Sequence, residues 1–356
     1  MNVAIIGAGL AGLSCAHELE RFGITPVIFE RNGFIGEAYS HVGAALEIVS
    51  RPVKNPITYL GKSFGIYLKP LNTVKSVIHH SPNKTTEIKG NLGYFLERSK
   101  EPGDIKNQIF SALKNTTVLF DTNADYEALS KEYDYVIAAN GDCSITNELG
   151  CWSEWLNTFI KGAVVLGDFD PNTMIVWVDK NYCKNGYAYL SPFSSKRASL
   201  HVVVPDTSPK EIDAYWELFL STENIKYSII EEFTVNHRSG FVYPHRIGNL
   251  FLTGNAGGML EPFLGFGVAA SIMSGVLAAR SIVKNKDYEK LLSRIVQKLL
   301  QLYEFRKAFD KLGNKSYDLL IQSMGLPLIK HITYYTPLDV VKYGSSLLKL
   351  KSGKKR

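Results

Sequence analysis

The chain has 356 residues, 45% hydrophobic, 21% charged and 12% aromatic, without a low-complexity tract. That length and apolar content suit one large two-lobed globular protein and exclude a disordered, collagenous or disulfide-framework chain. The net charge of +6 is local: residues 337–356 hold six Lys or Arg against one Asp, so the body is near neutral and a nucleic-acid-binding surface is not expected.

Cys15, Cys143, Cys151 and Cys183 have neither metal-ligand nor secreted-framework spacing and read as reduced thiols of a cytoplasmic protein. The chain opens on a strand, without the n-region or cleavage site of a signal peptide. Residues 2–30 form a βαβ pattern: an apolar strand, a glycine turn, a helix with apolar spacing and a second strand ending at Glu30. Gly7 suits the tight turn, Gly9 a close approach to pyrophosphate and Gly12 close helix–strand packing. The helix N-terminus supplies free N–H groups, and Glu30 an acceptor for ribose hydroxyls. A dinucleotide site is the expectation.

Beyond residue 50, short segments rich in Tyr, Thr, Val and Ile, including 65–76 and 85–89, predict antiparallel strands of a second lobe. A helix over 104–113, a strand over 118–120 and a buried strand over 135–141 return the chain to the first lobe. Segments 162–168, 173–179, 186–192 and 198–204 predict further second-lobe strands, with a helix near 208–221. A strand at 249–253 then runs through a glycine turn into residues 262–279, which carry no charge over 18 positions. Their early glycines favour a buried helix over a membrane span. The expected class is α/β with an α+β second lobe. A Rossmann-like lobe is assembled from 1–50, 91–145 and 236–283, an antiparallel substrate lobe from 51–90 and 146–235, and amphipathic helices with a basic tail from 284–356.

Over residues 1–283 the sequence resembles the flavoprotein geranylgeranyl reductases, which share a fold with the aromatic-ring flavin hydroxylases. The stretch 250–279, LFLTGNAGGMLEPFLGFGVAASIMSGVLAA, is similar to the family's strand, "GDAAG", "P..G.G" and "A..SG..AA" run. Tyr133 to Ser144 is similar to its "ADGxxS" turn, Gly240 and Pro244 match a glycine and a proline before the last strand, and GYAYLSPF at 186–193 is similar to "YxWxFP". The resemblance implies FAD, with contacts from Leu10, Ala11, Arg31, Gly43, Ala44, Arg98, Ala124, Asn255, Gly265, Gly267 and Val268 beside Gly7, Gly9, Gly12 and Glu30. Departures are Asn255 and Asn140 for two aspartates, Ser191 for an aromatic, and Val42 where the family has a cysteine.

Tyr187 and Tyr189 share a strand face and are candidates to line an apolar substrate pocket. His41, beside the expected flavin face, is the weak candidate for delivering a proton. His237, His245 and Arg246 read as surface turn residues, and the pair His79 and His80 lacks a third ligand, so no metal is expected. The implied activity is FAD-dependent reduction of carbon–carbon double bonds in an isoprenoid or lipid-like substrate. Electrons would come from NAD(P)H or a small redox protein, since a second GxGxxG lobe is missing. A flavin monooxygenase and a non-catalytic FAD-binding or lipid-carrier protein are the alternatives. The helices of 317–350 and the Lys-rich end suggest peripheral contact with an anionic membrane.

Overall fold

The computed structural model describes residues 1–353, with side chains as far as Lys349. Two sheets divide the chain. The first has six strands in the order Arg246–Ile247, Leu250–Leu252, Tyr135–Ala138, Val3–Ile6, Val27–Phe29 and Thr117–Leu119. All neighbours in it run parallel except the two-residue edge strand. Val3–Ile6 lies in the middle and is buried along its whole length, as an all-apolar VAII run must be when helices cover both faces of a parallel sheet.

The second sheet has eight strands, in the order Ser228–Val242, Trp152–Leu166, Arg197–Pro205, Tyr187–Pro192, Thr173–Trp177, Asn72–Ser81, Lys84–Arg98 and His41–Leu46. Its pairs are antiparallel apart from Asn72–Ser81 with Thr173–Trp177. Two expected boundaries move. His41–Leu46 and residues 91–98 pair with each other in this second sheet, so the divisions after residues 50 and 90 do not match the hydrogen bonding. The strand runs over 84–98 where the sequence predicts only 85–89; Gly90 and Gly93 both take positive φ, at a register shift in the pairing with Asn72–Ser81. Residues 65–76 are not one strand. Gly65 caps a helix, Pro56–Phe64, whose start is marked by Asn55 accepting from the Thr58 N–H and by proline in the first turn.

The main core lies between the first sheet and two helices, Leu10–Arg21 and Val268–Lys284. Ile5, Leu13, Ala16, Ile28, Ile272 and Val276 pack there with no measurable exposure. The two helices touch through backbone: a Cβ built on Gly275 would overlap Ala11 O and sit 2.8 Å from Ala11 C. Glu18, buried between them, bonds to Arg21 at 2.7 Å and Arg280 at 2.6 Å. The second helix follows the uncharged stretch, and among the described residues no helix is long and apolar enough to cross a membrane.

Tyr288–Phe309, Asn314–Met324, Pro327–Lys330, a π turn at His331–Tyr335 and Val340–Gly353 complete the chain. Tyr288–Phe309 packs on Val268–Lys284 and on Val340–Gly353. Gly275→Ala is expected to destabilise the protein by about 1–3 kcal/mol through backbone overlap, read as a lowered midpoint in urea unfolding. An Ala279→Gly change in the same helix should cost only the ~1 kcal/mol of helix propensity plus one lost methyl.

Candidate functional site

The first sheet presents the glycine turn at the carboxyl ends of its strands. Gly7 has φ +98°, and a Cβ there would lie 2.5 Å from Ala139 O; a Cβ on Gly12 would fall on Gly7 O. At Gly9 the nearest atom would be 3.8 Å away, which leaves that side open. The helix Leu10–Arg21 starts with no side-chain cap, so its first N–H groups face the opening with the positive end of the helix dipole.

Glu30 ends the second strand and is almost fully buried. Its Oε2 accepts from the Ala8 N–H at 2.7 Å and its Oε1 from the Asn32 N–H at 2.8 Å. These bonds tie the carboxylate to the phosphate-type turn. Arg31 is exposed and lies 3.5 Å from Asp142, and Ala124 follows the last strand of the same sheet.

A second uncapped helix start faces the first across the opening. Gly267 precedes Val268–Lys284 without a side-chain cap, and Gly265 has φ +73°. Asn255 donates to Gly141 O at 3.2 Å and brings its Oδ1 within 3.7 Å of the Cβ position on Gly267. Asn140 donates to Asp142 Oδ1 at 2.8 Å while its own Oδ1 is buried without a partner.

The loop before Gly267 is organised by a residue the sequence reading missed. Glu261 is 3% exposed, and its two oxygens accept from the N–H groups of Phe263, Leu264 and Phe266 at 2.7, 2.8 and 3.0 Å. Burial pushes its carboxyl up to about 7, against the pull of those three donors and of the Arg306 guanidinium. Tyr187 donates its hydroxyl to Leu264 O and so pins the loop to the second sheet. Glutamate before proline in an apolar loop was the available signal.

The second sheet supplies the opposite wall. Gly43, Ala44 and His41 lie on the edge strand paired to Lys84–Arg98. Arg98 ends that long strand, short of the helix Ile105–Phe110, and forms a buried ion pair with Glu37; its Nε makes no hydrogen bond and lies 4.0 Å from Asp104 Oδ2. Burial alone would raise the Glu37 carboxyl, but Arg98 and Lys106 outweigh it and hold it down to about 2. Burial, reinforced by the Arg98 charge, pushes His41 down to about 3, so the ring is neutral at physiological pH and its buried Nδ1 is unpartnered.

Tyr187 and Tyr189 face the same side, with ring centroids 5.8 Å apart, and Tyr189 stacks on the buried His201 at 4.3 Å. His237 and His245 are not surface turn residues. His237 faces the opening from the strand Ser228–Val242. His245 is 2% exposed and bonds to Glu289 at 2.8 Å, because the turn after that strand is covered by the helix Tyr288–Phe309. Arg246 is exposed as expected.

All these walls enclose one cavity of about 2600 Å³. Gly7, Gly9, Leu10, Ala11, Glu30, Arg31, His41, Gly43, Ala44, Arg98, Ala124, Tyr187, Tyr189, Asn255, Gly265, Gly267 and Val268 all line it. Gly12 does not; it lies behind the turn. The volume is more than twice the ~300–1,000 Å³ of a typical small-molecule site. The remainder extends under the C-terminal helices, between Ile57 and Leu60 on one side and Leu299, Leu302, Phe305, Met324 and Val341 on the other.

Residues 2–63 match the FAD dependent oxidoreductase family. Digeranylgeranylglycerophospholipid reductase 2 of Methanothermobacter thermautotrophicus is 24% identical over 98% of this chain and 98% of its own length. The digeranylgeranylglycerophospholipid reductase of Methanococcus vannielii is 23% identical, covering 98% of this chain and 96% of the relative. In structure the chain is similar to a geranylgeranyl bacteriochlorophyll reductase-like protein of Thermoplasma acidophilum. The TM-score is 0.73 at 18% identity, with 96% and 98% of the two chains covered.

The protein is an FAD-dependent oxidoreductase, and over nearly its whole length it is similar to digeranylgeranylglycerophospholipid reductases. The residues present suit FAD: two uncapped helix starts, a turn that no side chain could share, an acid beside that turn and the buried, unpartnered Asn140 Oδ1 all front the same cavity. The Asp to Asn change at 255 keeps a side chain able to accept and donate.

Two predictions follow from this geometry. A hydrogen bond to a charged group contributes ~1.5–3 kcal/mol; Glu30→Ala should therefore weaken FAD uptake about 10- to 100-fold, measured by quenching of flavin fluorescence on titration. The Glu261 carboxyl, raised from 4.5 to about 7 in the folded chain, holds its proton more tightly there than in the unfolded chain. Its contribution is intact below pH 4.5 and is lost as pH rises through 7. Between pH 5 and pH 8 this group should remove about 2 kcal/mol of stability. Glu261→Gln should flatten that slope in urea melts run across the interval.

Proposed function

We propose that this oxidoreductase reduces carbon–carbon double bonds of an isoprenoid chain carried on a lipid. The observation that carries the reading is the cavity, which runs from the FAD cradle into an apolar space too large for the cofactor alone. The names of the two full-length relatives support the same substrate class.

FAD, when bound and reduced, supplies hydride chemistry that no side chain can perform. In this reading Gly7, Gly9, Leu10 and Ala11 receive the pyrophosphate on the first helix start, and Glu30 accepts the ribose hydroxyls. Asn255, Gly265, Gly267 and Val268 turn N–H groups toward the pyrimidine edge, where a helix start favours negative charge. Glu261 positions that loop, and Arg98 with Gly43 and Ala44 closes the other side.

Tyr187 and Tyr189 contact the chain to be reduced. Burial raises both phenols, so they stay protonated at neutral pH, and His41 stays neutral. These three side chains thus add no charge of their own beside the alkene, and the nearby charges of Arg98, Glu37 and Lys106 are paired with one another. Reduction of one double bond needs a hydride, which bound reduced FAD would supply, and a proton, which would come from water reaching the cavity. NAD(P)H or a reduced redox protein restores the reduced cofactor. The protein works at the periphery of a membrane, from which such a substrate is drawn.

The test is anaerobic. Holoprotein reduced with dithionite and mixed with a detergent-solubilised geranylgeranyl phospholipid should reoxidise, and the lipid should gain two hydrogen atoms per bond by mass spectrometry. An unchanged lipid, or one that gains oxygen when air is admitted, overturns the reading; the second result would make the protein a monooxygenase.

A further inference from the structure

The apolar surface of this molecule is unevenly distributed. Of the 23 large hydrophobic side chains that are exposed among the described residues, ten fall between Leu319 and Leu347. Residues 325–329, Gly-Leu-Pro-Leu-Ile, are exposed in succession, with Leu326 at 51% and Leu328 at 71%. A run of this kind on a water-facing loop costs solubility and marks a contact surface. It is not a remote patch. Leu320, Ile329, Tyr343 and Leu347 are at once exposed and part of the cavity wall, so the apolar crest rims the cavity mouth.

Charge identifies what covers it. Four lysines lie in or beside this tract, Lys311, Lys315 and Lys342 exposed and Lys330 half-buried, against two acids, Asp318 and Asp339. Asp318 accepts from Ser81 Oγ and from the Asn83 N–H, and Asp339 pairs with Lys298 at 2.8 Å. Exposed apolar side chains with an excess of lysines over acids in the same tract match the boundary between acyl chains and anionic headgroups.

We propose that residues 319–347 dock on an anionic phospholipid bilayer and set the cavity mouth against it. The proposal rests on the lipid-substrate reading above and deepens it, since a long prenyl chain would then pass from bilayer to cavity without crossing water. It also relocates the contact expected of the Lys-rich end. Lys354, Lys355 and Arg356 lie outside the described residues, and the crest does not need them.

The experiment is sedimentation of FAD-loaded protein with vesicles of phosphatidylglycerol and phosphatidylcholine, beside the double variant Leu326→Ser/Leu328→Glu and a chain ending at Gly353. Neither leucine lines the cavity. Unchanged flavin absorbance and unchanged activity on detergent-solubilised lipid show the double variant to be intact. The expected result is pelleting of the wild type and the shortened chain, with partition of the double variant reduced about tenfold or more. Its activity should fall only when the substrate is presented in vesicles.

Equal pelleting of wild type and double variant, or none by either, overturns the proposal. So does a wild-type dimer in solution that the double variant breaks, which would make the crest an interface between two copies. Loss of detergent activity with FAD retained also overturns it. Docking without any reduction of the lipid would leave the crest standing and remove the substrate reading instead.

Discussion

The contact of Ala11 with Gly275 is the constraint on which the site depends. Two helices start without side-chain caps, and each start is useful only if it opens on the same space as the other. Backbone-to-backbone approach brings them together, and any side chain at position 275 would hold them apart. The same economy recurs at the next residue, where a Cβ on Gly12 would fall 2.0 Å from Gly7 O, so its absence lets the first helix lie against its strand. An anion-binding cleft is thus built from main-chain groups that cost nothing to reorganise. Side chains enter as fasteners: Glu30 ties down one turn, Glu261 the other, and Tyr187 joins the second to the neighbouring sheet.

The second sheet does more than add area. Its edge strand carries Gly43, Ala44 and His41 across to the first lobe, and Arg98 ends the strand beside it. Burying Arg98 with Glu37, and Lys106 with the same carboxylate, keeps opposite charges paired in a region that water does not enter freely. Unpaired, each would carry the desolvation penalty of an isolated ion. The wall is therefore polar where it meets the cofactor cradle and apolar where it meets the C-terminal helices.

Local signals identified the first lobe well. The VAII strand, the Gly7–Gly12 turn and Glu30 form a compact pattern over 30 residues, and each has one physical reason to be there. The uncharged helix after Pro262 was also legible, since its glycines come before the apolar run and not within a lipid-length span. Less legible were features created by distant pairing. Gly90 and Gly93 look like turn residues in isolation and sit inside a 15-residue strand, at a register shift in its pairing with Asn72–Ser81. His245 looks exposed until the helix Tyr288–Phe309, more than forty residues later, covers it. Glu261 carried a signal that went unused, and the amphipathic pattern of 317–350 suggested a membrane contact without telling which of its leucines stay exposed. Only burial tells which face of each helix is left over.

Arg51 shows how firmly that C-terminal tract belongs to the body. Its guanidinium is 7% exposed as a residue and donates to the carbonyls of Thr333, Tyr334 and Leu338, while Lys298 bonds to Arg51 O and to Asp339. One cation gathers three acceptors from a segment nearly three hundred positions away. Each such hydrogen bond from a charged donor contributes ~1.5–3 kcal/mol, so the three together hold the segment against the body. The stretch from Thr333 to Leu338 is thus a keystone, held by a cation that lies far from it in sequence.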